Sequence, residues 1–248
     1  LSVELLHNFT LIHDDIMDKY SVRHGQKTIH ERWDKSSAIL AGDGVFALSQ
    51  IILSSVSNSI MSAYFNRATL EICEGQALDK EFENNEKITE SQYLEMIDKK
   101  TGALLSLSAI LAPIYCGIDK EIISSYNDFG RNIGRGFQIH DDLLEITSNQ
   151  DLMGKSLGSD LAEGKQTFMV ILARNLFPKQ WKEIIIDSKS VDLVKNCKFF
   201  FDEKGISETT RIKAKSYFES AREDLKQIKS INTDELLKFT NLIEKRTF

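Results

Sequence analysis

Three aspartates stand close together at the end of an apolar segment. Asp14, Asp15 and Asp18 follow a run of mostly apolar residues from position 9 to position 13. At about 100° per residue, Asp14 and Asp18 share one helix face, one turn apart. Carboxylates this close repel each other unless cations neutralise them, and oxygen ligands suit a hard ion such as Mg²⁺, which typically binds carboxylates together with substrate phosphates. A solvated acidic helix end is the alternative interpretation of this cluster alone.

A second acidic cluster repeats the same spacing. Asp141, Asp142 and Glu145 again end an apolar helical segment, at positions i, i+1 and i+4. Sites in helical bundles are built from side chains on facing helices. Two such clusters on facing helices form an ion-bridged clamp for a diphosphate, so the repetition favours a metal site over two unrelated acidic helix ends.

Basic residues accompany both clusters. The candidates for binding a diphosphate are Arg23, Lys100, Lys155 and Lys165. Arg23 follows the first cluster, and the last two lie in a glycine-rich stretch after the second, where glycines allow the backbone to approach phosphates closely. Each lysine taken singly is most often a solvated surface charge. Together, around two acidic clusters, they predict contacts to a diphosphate.

Helical periodicity supplies the elements that would position these side chains. Helices are predicted for residues 1–17, 38–56, 60–82, 91–115, 122–146 and 166–177. Alternating strand-like runs with hairpin turns are missing from the sequence. Thr89 and Gln92 predict a capping box at a helix start. The more charged last quarter, residues 207–248, is predicted to form an outer, solvated pair of helices.

Composition is that of a globular protein with a sizeable core. Apolar residues make up 42% and charged residues 27% of the 248 residues. Repeats and linkers are missing from the sequence, so one helical domain over residues 1–248 is expected. The net charge of −6 has mixed signs, which argues against nucleic acid as a partner because phosphate backbones attract a clustered basic face.

Two further expectations concern location. The sequence has no run of about 18 apolar residues and therefore predicts no transmembrane segment. Its three cysteines are widely spaced, without a C-x-x-C pair, which favours free thiols in a reducing cytoplasm.

These residues resemble the trans-prenyl diphosphate synthase family, which includes the farnesyl and geranylgeranyl diphosphate synthases. Residues 13–18 are similar to its first aspartate-rich motif, and residues 136–145 are similar to its second. Further markers are residues 41–43, 74–76, 100–101, 154–155 and 164–165. The resemblance runs over residues 1–172 and is closest to short-chain archaeal-type geranylgeranyl diphosphate synthases. It implies an all-α bundle of the isoprenoid synthase type with a central substrate cavity.

The resemblance implies a prenyl transferase acting on isopentenyl diphosphate and an allylic partner (dimethylallyl, geranyl or farnesyl diphosphate). In the family reaction, the allylic carbon–oxygen bond ionises, the isopentenyl double bond attacks the cation, and a proton is lost. Mg²⁺ is the implied cofactor, with six implied carboxylates: Asp14, Asp15, Asp18, Asp141, Asp142 and Glu145. Of these, Asp14, Asp18 and Asp141 should hold the ions, and the other three should support them or bind through water.

The remaining implied roles divide by substrate. The allylic diphosphate contacts are Arg23, Lys100, Lys155 and Lys165. Lys100 and Thr101, with Gln138, should point polar atoms toward the cation. The isopentenyl diphosphate contacts are His7, His24 and Phe137, although His24 replaces the second arginine of the family's Arg-Arg-Gly. The family also has a basic segment upstream of its first motif, so N-terminal helices are expected to precede Leu1.

Product length is predicted from the helix before the first cluster. Phe9 and Thr10 lie five and four residues before Asp14. In the family, an aromatic residue five positions before the first aspartate resembles the pattern of short-chain synthases. A single aromatic residue there, followed by Thr10, resembles the pattern of geranylgeranyl diphosphate synthases. Farnesyl diphosphate is the alternative product, and a homodimer is expected by analogy.

Two other functions are alternatives. A terpene cyclase ionises the same substrates, but its usual second motif differs from residues 141–145. A catalytically weak subunit of a heteromeric synthase is the non-enzymatic alternative, favoured by His24 and by the missing upstream segment, and opposed by the two intact acidic clusters.

Overall fold

A computed structural model of the chain describes residues 1–147, 159–187 and 190–246, and most of them are helical. The helices are α1 (Ser2–Met17), α2 (Ile29–Arg32), α3 (Lys35–Ser54), α4 (Ser59–Phe82), α5 (Glu90–Ile97), α6 (Ala103–Tyr115), α7 (Lys120–Thr147), α8 (Ser159–Ala162), α9 (Phe168–Leu176), α10 (Pro178–Asp187), α11 (Ser190–Glu203), α12 (Ile206–Lys226) and α13 (Asp234–Glu244). A π-helical segment, Asp98–Gly102, joins α5 to α6. The prediction of an all-α bundle is confirmed.

Two local predictions differ from the structure. The single helix predicted for residues 91–115 is interrupted by the π-helical segment, whose five residues are polar or glycine. The loop after α1 contains a small antiparallel hairpin of two strands, β1 (Val22–Arg23) and β2 (Gln26–Lys27). Its two turn residues, His24 and Gly25, have positive φ angles of 50° and 74°, which is the geometry of the tightest hairpin turns. The capping box of Thr89 and Gln92 is confirmed at the start of α5.

The core lies around α7, which packs against α6 on one side and α12 on another. The prediction that the last quarter forms a solvated outer layer is wrong for α12. Its residues at intervals of three and four form a buried stripe: Ile206, Thr210, Ala214, Phe218, Ala221 and Leu225. Phe218 is 1% exposed. Charged residues occupy the other face of α12 and dominate its composition. The average hydrophobicity of the segment therefore does not reveal the apolar stripe.

Glycines allow three helical segments to approach each other backbone to backbone. A Cβ atom on Gly75 of α4 would lie 2.3 Å from the backbone nitrogen of Lys100 in the π-helical segment. On the opposite side, a Cβ on Gly134 of α7 would lie 2.5 Å from the Cα of Gly102. Neither contact leaves room for a side chain. The π-helical segment is therefore held between α4 and α7 by its own backbone.

Helix α3 packs against α1 and leaves much of its apolar surface exposed. Among the described residues it is the one helix long and apolar enough, by composition, to cross a membrane. Its exposed side chains include Leu40 at 70%, Leu48 at 52% and Ile51 at 63%. The expectation that no segment spans a membrane therefore stays a prediction.

Candidate active site

The first acidic cluster lies where α1 ends. Asp14 and Asp15 belong to the last turn, and Asp18 follows it as the C-terminal cap, donating its backbone N–H to the carbonyl of Asp14 over 2.8 Å. Asp15 is 6% and Asp18 is 9% exposed. Burial, with the negative charges of Asp18 and Asp79 nearby, raises the pKa of Asp14 to about 6. These carboxylates are desolvated, which counts against a solvated acidic helix end.

The second cluster lies in the last turns of α7. Asp142 and Glu145 are 6% and 2% exposed, respectively. Burial and the charge of Asp160 raise the pKa of Asp142 to about 7. Asp141 is more accessible and forms an ion pair with Arg246, which follows α13. The guanidinium carbon of Arg246 also lies 4.6 Å from the ring centroid of Phe137.

Lys165 connects the two clusters. Its Nζ lies 3.5 Å from Oδ2 of Asp18 and 3.1 Å from Oδ1 of Asp160. The backbone N–H of Asp160 donates to Oε1 of Glu145 over 2.9 Å. Burial alone would lower the pKa of Lys165, but the charges of Asp160 and Asp18 raise it above its ordinary value. Lys165 is therefore a stable cation that contacts the first cluster directly and the second through Asp160.

The π-helical segment brings Lys100 and Thr101 to the same place. Nζ of Lys100 donates to Oδ2 of Asp79 over 2.6 Å. Although burial opposes its charge, Asp79 and Asp14 raise the pKa of Lys100. Thr101 Oγ1 donates to Oε1 of Gln138 over 2.9 Å. The predicted trio of Lys100, Thr101 and Gln138 is therefore assembled next to the first cluster.

Several residues that the sequence did not single out belong to the site. Asp79 binds Lys100, and Tyr93 donates from its hydroxyl to Oδ2 of Asp142 over 2.7 Å. Asp18, Glu83 and Glu163 bring three carboxylate oxygens within 4.8 Å of one another. Asp79 had a signal in the sequence, because it follows the marker at residues 74–76 by one helical turn.

The other predicted contacts are placed less uniformly. Arg23 reaches the first cluster, but its Nε and Nη2 donate to Oδ1 of Asp15 over 2.8 Å and 2.7 Å. His24 is exposed in the hairpin turn. His7 lies on α1, two turns before Asp14, and its carbonyl accepts from Thr10 Oγ1 over 2.7 Å. Lys155 lies outside the described residues.

Phe9 faces α3. Its ring centroid lies 4.7 Å from that of His13 and 5.0 Å from that of Phe46 on α3. It belongs to the half-buried side chains packed on the main core. This position suits a wall residue and an ordinary core residue equally, so the prediction for product length stays open.

A small cavity of about 50 Å³ lies among these groups, lined by both lysines and by Asp79, Gln138 and Asp142. Lys100 and Lys165, which line it, are each paired with a carboxylate. The donors around it are carboxylate oxygens, which fit Mg²⁺ and do not fit a soft metal. Anions that bind here would have to take over the contacts of the two lysines.

Comparison with known proteins gives a consistent result. The polyprenyl synthetase family model matches residues 1–198. The geranylgeranyl diphosphate synthase of Methanosarcina mazei is 39% identical over 228 residues, covering 83% of this chain and 69% of that protein.

Two solved structures show the same likeness in three dimensions. The geranylgeranyl pyrophosphate synthetase of the archaeon Geoglobus acetivorans superposes with a TM-score of 0.84 and 35% identity, over 99% of this chain and 79% of that one. A polyprenyl synthase from Caulobacter crescentus, complexed with calcium and isoprenyl diphosphate, has a TM-score of 0.92 and 26% identity, over 100% and 77%. The family match spans most of the chain and includes both acidic clusters. The chain belongs to the polyprenyl synthetase family.

Proposed function

We propose that this prenyl transferase joins isopentenyl diphosphate head to tail to an allylic diphosphate, requires Mg²⁺, and releases geranylgeranyl diphosphate as its main product. The contact set of Lys165 carries the proposal. Lys165, a half-buried cation, contacts Asp18 of the first cluster directly and Asp160, whose backbone N–H donates to Glu145 of the second cluster.

We assign the metal to the carboxylates. Asp14, Asp18 and Asp141 would hold Mg²⁺, and Asp15, Asp142 and Glu145 would support these ligands. When bound, the metal supplies positive charge that stabilises the departing diphosphate. The raised pKa of Asp14 supports this assignment, because a carboxylate that is costly to ionise alone is stabilised as an anion by a cation.

Lys100 and Lys165, with Arg23 and Lys155, would bind the allylic diphosphate. The first two are held by buried carboxylates now and would exchange part of these contacts for phosphate oxygens. An ammonium has three N–H donors, so one can remain on the protein while others reach the ligand. Positive charge at the bond that breaks stabilises the transition state.

Isopentenyl diphosphate would bind beside the second cluster, with His7, His24 and Phe137 as proposed contacts. Arg246, whose guanidinium lies over the ring of Phe137, is proposed as a further, cationic contact to this diphosphate. Thr101 and Gln138 would turn polar atoms toward the allylic cation, and apolar side chains around the tail would exclude water. After the new bond forms, a proton leaves and the product is again an allylic diphosphate.

One incubation separates this function from its alternatives. Labelled isopentenyl diphosphate, an allylic primer and Mg²⁺ should yield a longer diphosphate that carries the label. A hydrocarbon would indicate a terpene cyclase, and no product would indicate a catalytically weak subunit. Chromatography of the dephosphorylated product distinguishes geranylgeraniol from farnesol, and the geranylgeranyl names of the relatives support the former.

We further propose a cytoplasmic homodimer of single-domain subunits whose contact includes α3. Its exposed apolar side chains need a cover, and a second copy supplies a matching surface. Leu40→Glu with Ile51→Glu should convert a dimer to a monomer in light scattering, whereas Leu176→Glu, exposed on α9, should not. Flotation of the unmodified protein with lipid vesicles would instead indicate that α3 binds a membrane.

A further inference from the structure

Four polar side chains form one continuous chain of hydrogen bonds beside the cavity. Thr101 Oγ1 donates to Oε1 of Gln138 over 2.9 Å, and Nε2 of Gln138 donates to Oδ1 of Asp142 over 2.9 Å. The hydroxyl of Tyr93 donates to the other carboxylate oxygen, Oδ2, over 2.7 Å. Tyr93 is 1% and Asp142 is 6% exposed. Water therefore cannot easily replace a bond that is lost at this end of the chain.

Asp142 sets the direction of the bonds that follow it. Both oxygens of Asp142 act as acceptors in this arrangement, so the carboxylate holds the amide nitrogen of Gln138 toward itself and leaves the amide oxygen for Thr101. The single hydroxyl proton of Thr101 is engaged with that oxygen. The Thr101 oxygen can therefore still accept a hydrogen bond or face a cation with its lone pairs, but it has no further proton to donate.

We propose that Tyr93 and Asp142 are positioning residues, which act through Gln138 to keep the lone pairs of Thr101 turned toward the allylic cation. The inference rests on the proposed function, because that cation exists only when an allylic carbon–oxygen bond ionises. A flipped amide would donate to Thr101 and turn the hydroxyl proton outward, so that the positive end of its dipole faced the cation. Dipoles fixed beforehand in the favourable sense need no reorganisation when the bond breaks.

The contacts of the two adjacent aspartates support different roles for them. Asp141 is accessible and pairs with a cation, Arg246. Both oxygens of Asp142 instead accept from neutral donors of the protein, so metal binding there would displace one of these bonds. Tyr93 packs in the core as a phenylalanine would, and its hydroxyl alone makes the contact with Asp142. The hydroxyl can therefore be tested without removing the ring.

Tyr93→Phe is the first test, with the wild type assayed for formation of the longer diphosphate in parallel. Loss of a supporting hydrogen bond should lower kcat by about 10- to 100-fold. The KM of each substrate and the Mg²⁺ concentration for half-maximal rate should stay unchanged, because the proposed role of Tyr93 is to orient Gln138 through Asp142 and not to bind substrate or metal. Tyr126 on α7 is also buried but lies outside the site, so Tyr126→Phe serves as the control and should leave kcat unchanged.

A double-mutant cycle tests whether the effect passes through Thr101. Thr101→Val should lower kcat, Thr101→Ser should restore most of it, and Tyr93→Phe should add little in the Thr101→Val background. Asp142→Asn should behave as Tyr93→Phe does, and it carries the cycle if Tyr93→Phe does not fold.

The outcomes are distinguishable. Additive effects of Tyr93→Phe and Thr101→Val, or an unchanged kcat in Tyr93→Phe, would overturn the inference alone. The same is true if excess Mg²⁺ fully restores the rate of Asp142→Asn, since Asp142 would then act on the metal ligands alone and not through Gln138. A wild type that makes no longer diphosphate would overturn the proposed function and this inference together.

Discussion

Nζ of Lys100 lies 2.6 Å from Oδ2 of Asp79, so an ion pair joins the π-helical segment to α4 at the cavity. Asp79 is 7% exposed, and a buried carboxylate is stable only with such a partner. The pair fixes where the ammonium points before any substrate arrives.

Replacing Lys100 by alanine should therefore reduce the catalytic rate strongly. We expect kcat to fall about 100- to 1,000-fold, the range for removing one preorganised donor from a developing anion. Lys99→Ala is the matched control, because the neighbouring Lys99 pairs with Glu74 and Glu95 on the outside of the helix. Steady-state kinetics with both variants measure the difference, and equal rates would place Lys100 among ordinary surface lysines.

Asp14→Asn should abolish turnover and leave the fold intact. The substitution removes a charge that burial already disfavours, so the metal-free protein should melt at a higher temperature than the wild type. Calorimetry without metal and turnover with Mg²⁺ are the two measurements. Asp128→Asn, exposed at the other end of α7, should change neither. Near-normal turnover in Asp14→Asn would show that the clamp assignment is wrong.

The pH dependence of stability should follow the raised pKa of Asp14. Because the folded state binds this proton more tightly than the unfolded state, the contribution to stability is present below pH about 4 and is lost as pH rises to about 6. The melting-temperature difference between Asp14→Asn and wild type should widen through this window and then level off. A constant difference from pH 4 to pH 8 would contradict the assignment.

The Mg²⁺ requirement should change in the opposite sense over the same window. Metal binding needs the ionised carboxylate and releases its proton, so the half-saturating Mg²⁺ concentration should fall as pH rises toward about 6. Titrations of activity with Mg²⁺ at several pH values measure this, and a requirement independent of pH would exclude Asp14 as the group responsible.

Phe9→Ala should shift the products to longer chains. Removing the ring opens space that additional methylenes can fill, at about 0.8 kcal/mol each. Phe46→Ala is the packing control, because Phe46 contacts the same ring from α3. Chromatography of dephosphorylated products gives the lengths. Loss of stability in both variants with no change in length would make Phe9 a core residue only.

The sequence predicted those residues of the site that lie within one helical turn of each other along the chain. The two acidic clusters follow such local spacing, and Lys100 and Thr101 follow a short marker. Tyr93 and Arg246, two partners that reach across the bundle, were not predicted. Tyr93 lies 49 residues from Asp142, and Arg246 lies 105 residues from Asp141. No periodicity encodes such pairs, because they depend on how distant helices pack.

The π-helical segment was missed for a different reason. Residues 98–102 are polar or glycine, and the apolar residues resume at Ala103. Such a gap in the apolar pattern does not tell an α-helix from a local change of hydrogen bonding. The glycines that accompany it are visible in the sequence, but Gly75 and Gly134 gain their meaning only from the backbone that each one touches.

These two glycine contacts make one side of the bundle rigid. Backbone packed on backbone has no rotamer to change, so α4, the π-helical segment and α7 cannot move apart in small steps. The contact between α1 and α3 is instead built from side chains such as Phe9 and Phe46, which can be exchanged singly. An engineer who wants room for branched or bulkier primers should therefore vary the α1–α3 side. Libraries at Gly75 or Gly134 would return mainly unfolded chains.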